Sequence, residues 1–586
     1  MEHKGLFANV RLLWQLMRPH RRRFLLGAFV IGGIDVLDVV PPLATAALID
    51  AFDGPLTGWG FVLLCIGAII GSTLVMGVLR YVMHVLFHRL AVRVTVDLRR
   101  RFYAHLQRLE PKFYSSTRIG DLMARMTNDL RAIRMALGMG SMVSLDITII
   151  AVVVVPVIFV LSWKLAACLL LSVVVLPVFV KKVGDRIHAK YEAVQAQMGD
   201  VSAHAQESIT GIRVIKAYAQ EANTIAEFKA SAREYLNRYM KFAWWHALFH
   251  PTVGLAFGAG MILVLTVGGW QVIHGELSKG MLVAFMQYMM MIMWPMMGVG
   301  WFVSLVQQGS ASLKRINEIL AIEPEVRDTE QTLSSKTSID GEIEFRHLNF
   351  AYNGARVLED VALCVPRGST LAIVGEVGSG KSTLMNMVAR LVEPPDGTVF
   401  IDGLDVKRIP LATLRRYVAY VPQETFLFSA SISENIAFGC PGASDDDVAR
   451  AAEISQLSRD VEAFPGGYQS LLGERGINLS GGQKQRTAIA RAVLADPSVL
   501  ILDDALSSVD THTEDEILRR LDRFMRHRTC LIVAHRISTL KMADEIIVLE
   551  RGRIVERGTH AKLVALDGLY ASIYRKQLLE EELEET

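Results

Sequence analysis

The sequence predicts two fused fold classes: a membrane bundle of six helices with long cytoplasmic extensions, then an α/β domain built to hold nucleotide phosphates. Three observations carry that expectation. Apolar runs of bilayer-crossing length crowd the chain as far as Val306 and then stop. An apolar stretch ending at Val374 leads through a glycine-rich turn into a helix-like segment, and a second apolar stretch from Val499 ends in two aspartates.

Composition agrees with a membrane half and a soluble half. Of 586 residues, 51% are hydrophobic, too many for an ordinary soluble chain of this size. A net charge of +2 gives no reason to expect a nucleic-acid partner. Cys65, Cys168, Cys364, Cys440 and Cys530 show no C-x-x-C spacing, so neither a disulfide framework nor a zinc site is expected. The first residues lack the short apolar core and cleavage site of a removable signal peptide.

Six spans are predicted at 24–50, 61–87, 138–162, 165–183, 242–273 and 281–306. The polar insertions after the second and fourth, about 88–137 and 184–241, hold or directly follow basic clusters such as Arg99-Arg100-Arg101 and Lys181-Lys182. The other connections are short and nearly free of Lys and Arg. That asymmetry predicts a multi-pass protein of the bacterial inner membrane with both termini and both insertions cytoplasmic. Within the insertions, 120–134 and 206–228 combine helical apolar spacing with charge. They read as helical extensions tipped by docking elements, or as plain solvated extensions. The expected divisions are a transmembrane domain 1–321, a polar linker 322–340, a nucleotide-binding domain 341–579 and an acidic tail 580–586.

After the linker, Ile343 and Phe345 alternate with charged neighbours as in a half-buried strand. Asp402-Gly403 marks a hairpin turn, 529–536 a buried strand, and 545–558 a closing hairpin. Gly375, Glu376, Val377, Gly378, Ser379, Gly380, Lys381, Ser382 and Thr383 form a G-x-x-x-x-G-K-[ST] loop between strand and helix. Backbone N–H groups there cradle phosphates at the positive end of the helix. Lys381 reaches the β- and γ-phosphates, and Ser382 offers a hydroxyl to Mg²⁺. Asp503, at the end of the second strand, is placed to hold the same ion. Leu479, Ser480, Gly481, Gly482 and Gln483 open another helix and make a second anion site.

With both motifs on one chain, the sequence resembles ATP-binding-cassette exporters of the half-transporter type over nearly its whole length. The resemblance implies ATP and Mg²⁺ as ligands, Tyr352 stacking on adenine, and Gln423 sensing Mg²⁺ and the membrane domain. It makes His535 the switch histidine at the γ-phosphate and 507–510 the loop crossing a dimer interface. Glu474-Arg475-Gly476 resembles the element that touches docking helices. Cassettes of the family pair head to tail, each signature closing on the other's phosphate loop. A second half-transporter is therefore implied, with membrane lipids around it and an amphipathic drug-like compound or lipid as cargo.

One position departs from the family. Its water-polarising glutamate is Asp504 here, shorter by one methylene, or about 1.5 Å. A displacement on that scale can cost about 10²-fold in rate. The combination resembles the degenerate subunit of heterodimeric exporters. A homodimer in which Asp504 works is the competing reading, and an ATP-gated channel would share the same motifs. An added protease-like domain is not seen, so a peptide-processing exporter is not expected.

Ionisable groups inside spans usually face a cavity or a partner. Asp35 and Asp38 in the first span and Asp146 in the third are candidates for a cavity favouring cationic amphiphiles, unless they satisfy one another or lie near headgroups. The last span is rich in methionine; Met289 and Met293, beside Trp294, suit an adaptable binding surface or plain helix packing.

Overall fold

The computed structural model describes residues 2–52, 58–352, 354–473, 476–509, 511–534 and 536–584. The chain divides into two compact units, Met1–Ala104 with Gly120–Ile322, and His105–Ile119 with Glu323–Thr586.

Among the described residues, the regular elements of the first unit are all helices. Ala8–Phe52, Trp59–Leu106, Ile119–Leu161 and Glu221–Ile273 are each long and apolar enough to cross a membrane. The expected fourth span falls in the helix Trp163–Thr210 and the sixth in Lys279–Leu320. At 48 residues, Trp59–Leu106 is about 72 Å long at 1.5 Å per residue, more than twice the hydrocarbon thickness. Extension beyond the bilayer follows from length alone. A core of Val154, Leu165, Val264, Phe285, Tyr288 and Met289 ties several of these helices together. Tyr288 donates its hydroxyl to the Val39 carbonyl at 3.0 Å, which satisfies its one polar atom.

Two polar knots fix helix ends and turns. Asp50 accepts from Ser278 Oγ at 2.6 Å and from the Gly280 N–H at 2.8 Å, capping the helix Lys279–Leu320 from the helix Val40–Phe52. A Cβ on Gly280 would fall on the Ala46 carbonyl, so only glycine permits this approach. Further along, a π-helical turn at Arg125–Asp129 carries Asp129, which accepts from Ser312 at 2.9 Å and Arg315 Nε at 3.0 Å.

The second unit contains two sheets. One is antiparallel, in the order β2-β1-β4-β5, with β1 Ile343–Tyr352, β2 Ala355–Val365, β4 Val399–Ile401 and β5 Leu404–Asp405. The other runs β10-β9-β3-β8-β7-β6, with β3 Thr370–Val374, β6 Val418–Val421, β7 Val499–Asp503, β8 Thr529–Val533, β9 Glu545–Glu550 and β10 Arg553–Gly558. All pairings among β6, β7, β8, β3 and β9 are parallel, and every residue of β3, β7 and β8 is buried. Continuous apolar runs are what a sheet covered on both faces requires. The β9–β10 hairpin closes the edge, and the β4–β5 hairpin turns at Asp402-Gly403, both with positive φ. Asp402 also accepts the N–H groups of Asp340, Gly341 and Glu342, pinning the end of the linker. Burial alone would raise its carboxyl pKa; these donors and Lys336 outweigh burial and hold it below the ordinary value.

Residues 105–119 from the first insertion belong to this second unit. They include the short helix Pro111–Ser116. Lys112 pairs with Glu325 at 3.1 Å, and Glu110 accepts the Glu325 N–H at 3.3 Å.

Candidate functional site

The parallel sheet sets the phosphate loop by its topology. Strand β3 lies between β8 and β9, so the turn leaving it opens at the carboxyl edge of the sheet, where such folds bind ligands. The helix Lys381–Val388 begins immediately after Gly380, whose φ of 103° lies in the left-handed region. A Cβ there would also come within 2.9 Å of the Val357 carbonyl. Lys381 is buried and donates to the Gly375 carbonyl at 2.6 Å and the Glu376 carbonyl at 2.8 Å. Desolvation lowers its pKa, while Asp503 and Asp504 pull it back up. Ser379 Oγ is buried with no partner among the described residues, an orphan of the kind a phosphate oxygen satisfies.

Around this loop a cavity of about 270 Å³ brings together Lys381, Ser382, Thr383, Gln423, Asp503 and Asp504. Asp503 accepts from the Tyr420 hydroxyl at 2.9 Å. Burial, and then the neighbouring Asp503 charge, push the Tyr420 pKa up, so the phenol stays a donor. Gln423 Nε2 donates to Asp504 Oδ2 at 3.2 Å. Asp504 sits in the left-handed region at φ 51°, its N–H bonded to the Val533 carbonyl at 3.1 Å. Among the described residues no cluster of three His, Cys, Asp or Glu could cage a metal alone. One hydroxyl, one amide and Asp503 instead fit an ion that arrives with phosphates and keeps several waters.

The other predicted nucleotide residues sit elsewhere in the unit. Tyr352 is half-buried at the end of β1, edge-on to Phe350 at 4.9 Å. Ser480 caps the helix Gly481–Leu494: its Oγ accepts the Gln483 N–H, and Gln483 Oε1 accepts the Ser480 N–H at 3.0 Å. Leu479 is buried, whereas Ser480 and Gly481 are exposed, and none of these residues lines the phosphate cavity. His535, Asp510, Glu474 and Arg475 lie outside the described residues. Tyr420 and Val357 went unnoticed in the sequence because neither belongs to a motif; Tyr420 becomes visible only when β6 is paired with β7, and Val357 only when β2 is laid beside the phosphate loop.

In the helical unit, a cavity of about 670 Å³ is lined by Asp38, Asp146, Arg80 and His84 together with Met83, Met139, Met142, Met290 and Met291. Arg80 pairs with Asp38 at 3.3 Å, and His84 Nδ1 lies 2.8 Å from the Arg80 carbonyl. Asp35 is 1% exposed, has no hydrogen-bond partner on either oxygen among the described residues, and lies within electrostatic reach of Asp146 and Asp38. Met289 belongs to the packed core with Tyr288 and Ile292, so Met290 and Met291 form the cavity wall in its stead. The helical period turns Met289 toward its neighbours. The Met293 and Trp294 side chains lie outside the described ones.

With this geometry in hand, comparison with known proteins is direct. Residues 24–296 match the ABC transporter transmembrane region and 358–507 the ABC transporter domain. A probable multidrug resistance ABC transporter ATP-binding/permease protein, YheI of Bacillus subtilis, is 35% identical over 98% of both chains. The multidrug resistance-like ATP-binding protein MdlA of Escherichia coli is 36% identical, covering 99% of this chain and 98% of its own. An ATP-dependent lipid A-core flippase of Syntrophus aciditrophicus is 33% identical, with 98% and 95% covered. A bacterial Atm1-family ABC exporter solved with ATP bound superposes with a TM-score of 0.80 at 27% identity, over 95% of this chain and 99% of that one. The chain belongs to the ABC transporter family: it has the exporter fold, with membrane and ATP-binding parts fused, and it is an ATPase coupled to transport.

Proposed function

We propose that this ABC exporter moves amphipathic drugs or lipids out of the cytoplasm or inner leaflet of a bacterial inner membrane, as the weaker-hydrolysing half of a heterodimer. The observation that carries the dimeric reading is that the signature residues 480–483 and the phosphate cavity are separate surfaces of one cassette. A nucleotide held at Lys381 therefore needs a second signature from elsewhere. Exposed apolar surfaces support pairing: Ile212, Val214 and Tyr218 at the short helix Ile212–Ala217, and Phe426, Phe428 and Ile477 on the cassette.

In the working cycle ATP draws the two cassettes together and the membrane helices switch facing. Tyr352 stacks on adenine, Lys381 and the loop N–H groups hold the phosphates, and His535 contacts the γ-phosphate. Ser382, Asp503 and Gln423 would hold Mg²⁺, which supplies charge neutralisation between the β- and γ-phosphates. Asp504 carries the carboxylate that orients water, with reach reduced by one methylene. Hydrolysis is then dominated by the other composite site, which this chain's intact signature completes.

Asp504→Asn is accordingly expected to change steady-state ATPase of the assembled transporter by less than about twofold. Loss of turnover from that single change would show that this site is a working one.

Relatives named for multidrug resistance and for lipid A-core flipping support an amphipathic cargo. Among the described residues, Asp38 and Asp146 line the membrane cavity with one guanidinium, Arg80, among methionines, and the buried Asp35 lies behind them within electrostatic reach. That balance favours a cationic amphiphile. ATP-driven uptake of a cationic dye into inverted membrane vesicles is the direct test of export. Asp35→Asn, Asp38→Asn and Asp146→Asn should each lower that uptake several-fold, about 1 kcal/mol apiece. Undiminished uptake in all three would leave the carboxylates a purely structural part.

A further inference from the structure

The signature helix and the loop after Asp504 are tied together by a side chain that no motif reading selected. Gln485 is 4% exposed and sits one turn inside the helix Gly481–Leu494. Its Nε2 donates to Ser507 Oγ at 3.0 Å, and its Oε1 accepts the Ser508 N–H at 2.9 Å. Both ends of the amide are thus committed to the loop, and their orientation is fixed by the backbone donor. Ser507 Oγ in turn donates to the Asp504 carbonyl at 3.0 Å.

Packing reinforces the tie. A Cβ on Gly481 would lie 3.2 Å from the Ser508 Cβ, and one on Gly482 3.0 Å from the Ser508 carbonyl oxygen. The first helical turn therefore rests on the loop backbone with no slack. A buried amide bonded at both its nitrogen and its oxygen transmits displacement between two such surfaces, because stretching either bond leaves a polar group unsatisfied at about 1–3 kcal/mol.

The two ends of this tie serve different nucleotides. Residues 480–483 do not line the cavity that Asp504 lines, so a nucleotide gripped at the helix start belongs to the other composite site. We propose that Gln485 is a positioning residue that keys the signature helix to the loop after Asp504, so that the loop beside one nucleotide sets the helix start that closes on the other. The proposal rests on the composite-site reading above. It adds an intrachain path, Gln485 to Ser507 to the Asp504 carbonyl, by which each ATP site registers the state of its neighbour.

The test uses the full chain, assembled with its second half-transporter in lipid nanodiscs, and measures kcat and KM for ATP. Gln485→Ala should lower kcat by about 10- to 100-fold, with KM within about twofold. Gln485→Glu keeps the acceptor for the Ser508 N–H but cannot donate to Ser507, so it should show the kcat loss while retaining the fold. Ser507→Ala should match it, and the Gln485→Ala/Ser507→Ala pair should lose no more than either alone. If Gln485→Ala fails to fold, the Glu and Ser507 variants carry the same comparison. A kcat within about twofold of the parent, an effect confined to KM, or losses that multiply in the double variant would each overturn the proposal. Ser480→Arg separates the two readings. If it is harmless, the composite site itself is wrong; if it stops turnover while the Gln485 and Ser507 variants are silent, only the tie is wrong.

Discussion

Arginine in place of Ser480 is expected to reduce ATP turnover of the assembled transporter by about 100-fold or more. Ser480 has two tasks that arginine defeats together. Its hydroxyl closes a reciprocal capping box with Gln483, and loss of such a cap costs about 1 kcal/mol of helix stability. The exposed helix start also offers N–H donors and a positive partial charge to an anion. A bulky guanidinium placed there repels that end of the helix and fills the space a γ-phosphate needs. The effect should fall on kcat, since ATP binding at Lys381 is made by other residues of the cassette. Ser480→Ala, which removes only the cap, should cost far less. ATPase assays with parallel nucleotide-binding measurements check both; near-parental turnover of the arginine variant would rule out any role for this helix start in hydrolysis.

The second large effect is structural. Gly280→Leu should destabilise the helical unit by about 3 kcal/mol or more, because its Cβ would land on the Ala46 backbone carbonyl and not on a yielding side-chain tip. Separation of the two helices would also pull the Gly280 N–H and Ser278 away from Asp50, undoing the cap at the start of Lys279–Leu320. Gly269, which a Cβ would leave without contacts within 4 Å, supplies the comparison. Gly269→Ala should be neutral or slightly stabilising, as alanine favours helix. Thermal unfolding in detergent at one fixed scan rate distinguishes the pair; equal midpoints would mean the helices part more easily than their packing implies.

What the sequence revealed, and what it hid, follows from the range of the interactions involved. The glycine-rich loop, the Asp402-Gly403 hairpin and the buried strands are written in adjacent residues, because φ preference and strand period are local properties. The exporter class was legible for the same reason: two phosphate-binding helix starts and a series of apolar runs are contiguous strings. Contacts across long separations were not legible. Nothing near Asp38 announces Arg80, 42 residues away, and Tyr420 reaches Asp503 only across a strand pairing. Met289 and Met290 are neighbours in a methionine-rich run, yet one packs in the core and the other lines a cavity, a choice made by the facing helices. Gln485 escaped notice because a buried glutamine acquires meaning only when its two partners are known.

The left-handed backbone at Asp504 bears on any attempt to retrofit the family's glutamate there. Aspartate tolerates that conformation comparatively well, since its short side chain can bond locally, whereas longer residues meet a steric penalty of about 1–2 kcal/mol. Restoring reach by one methylene would thus load the hinge of the loop with strain. Seen from the backbone, the shorter acid is the more comfortable tenant, and a slower chemistry is compatible with a more relaxed turn.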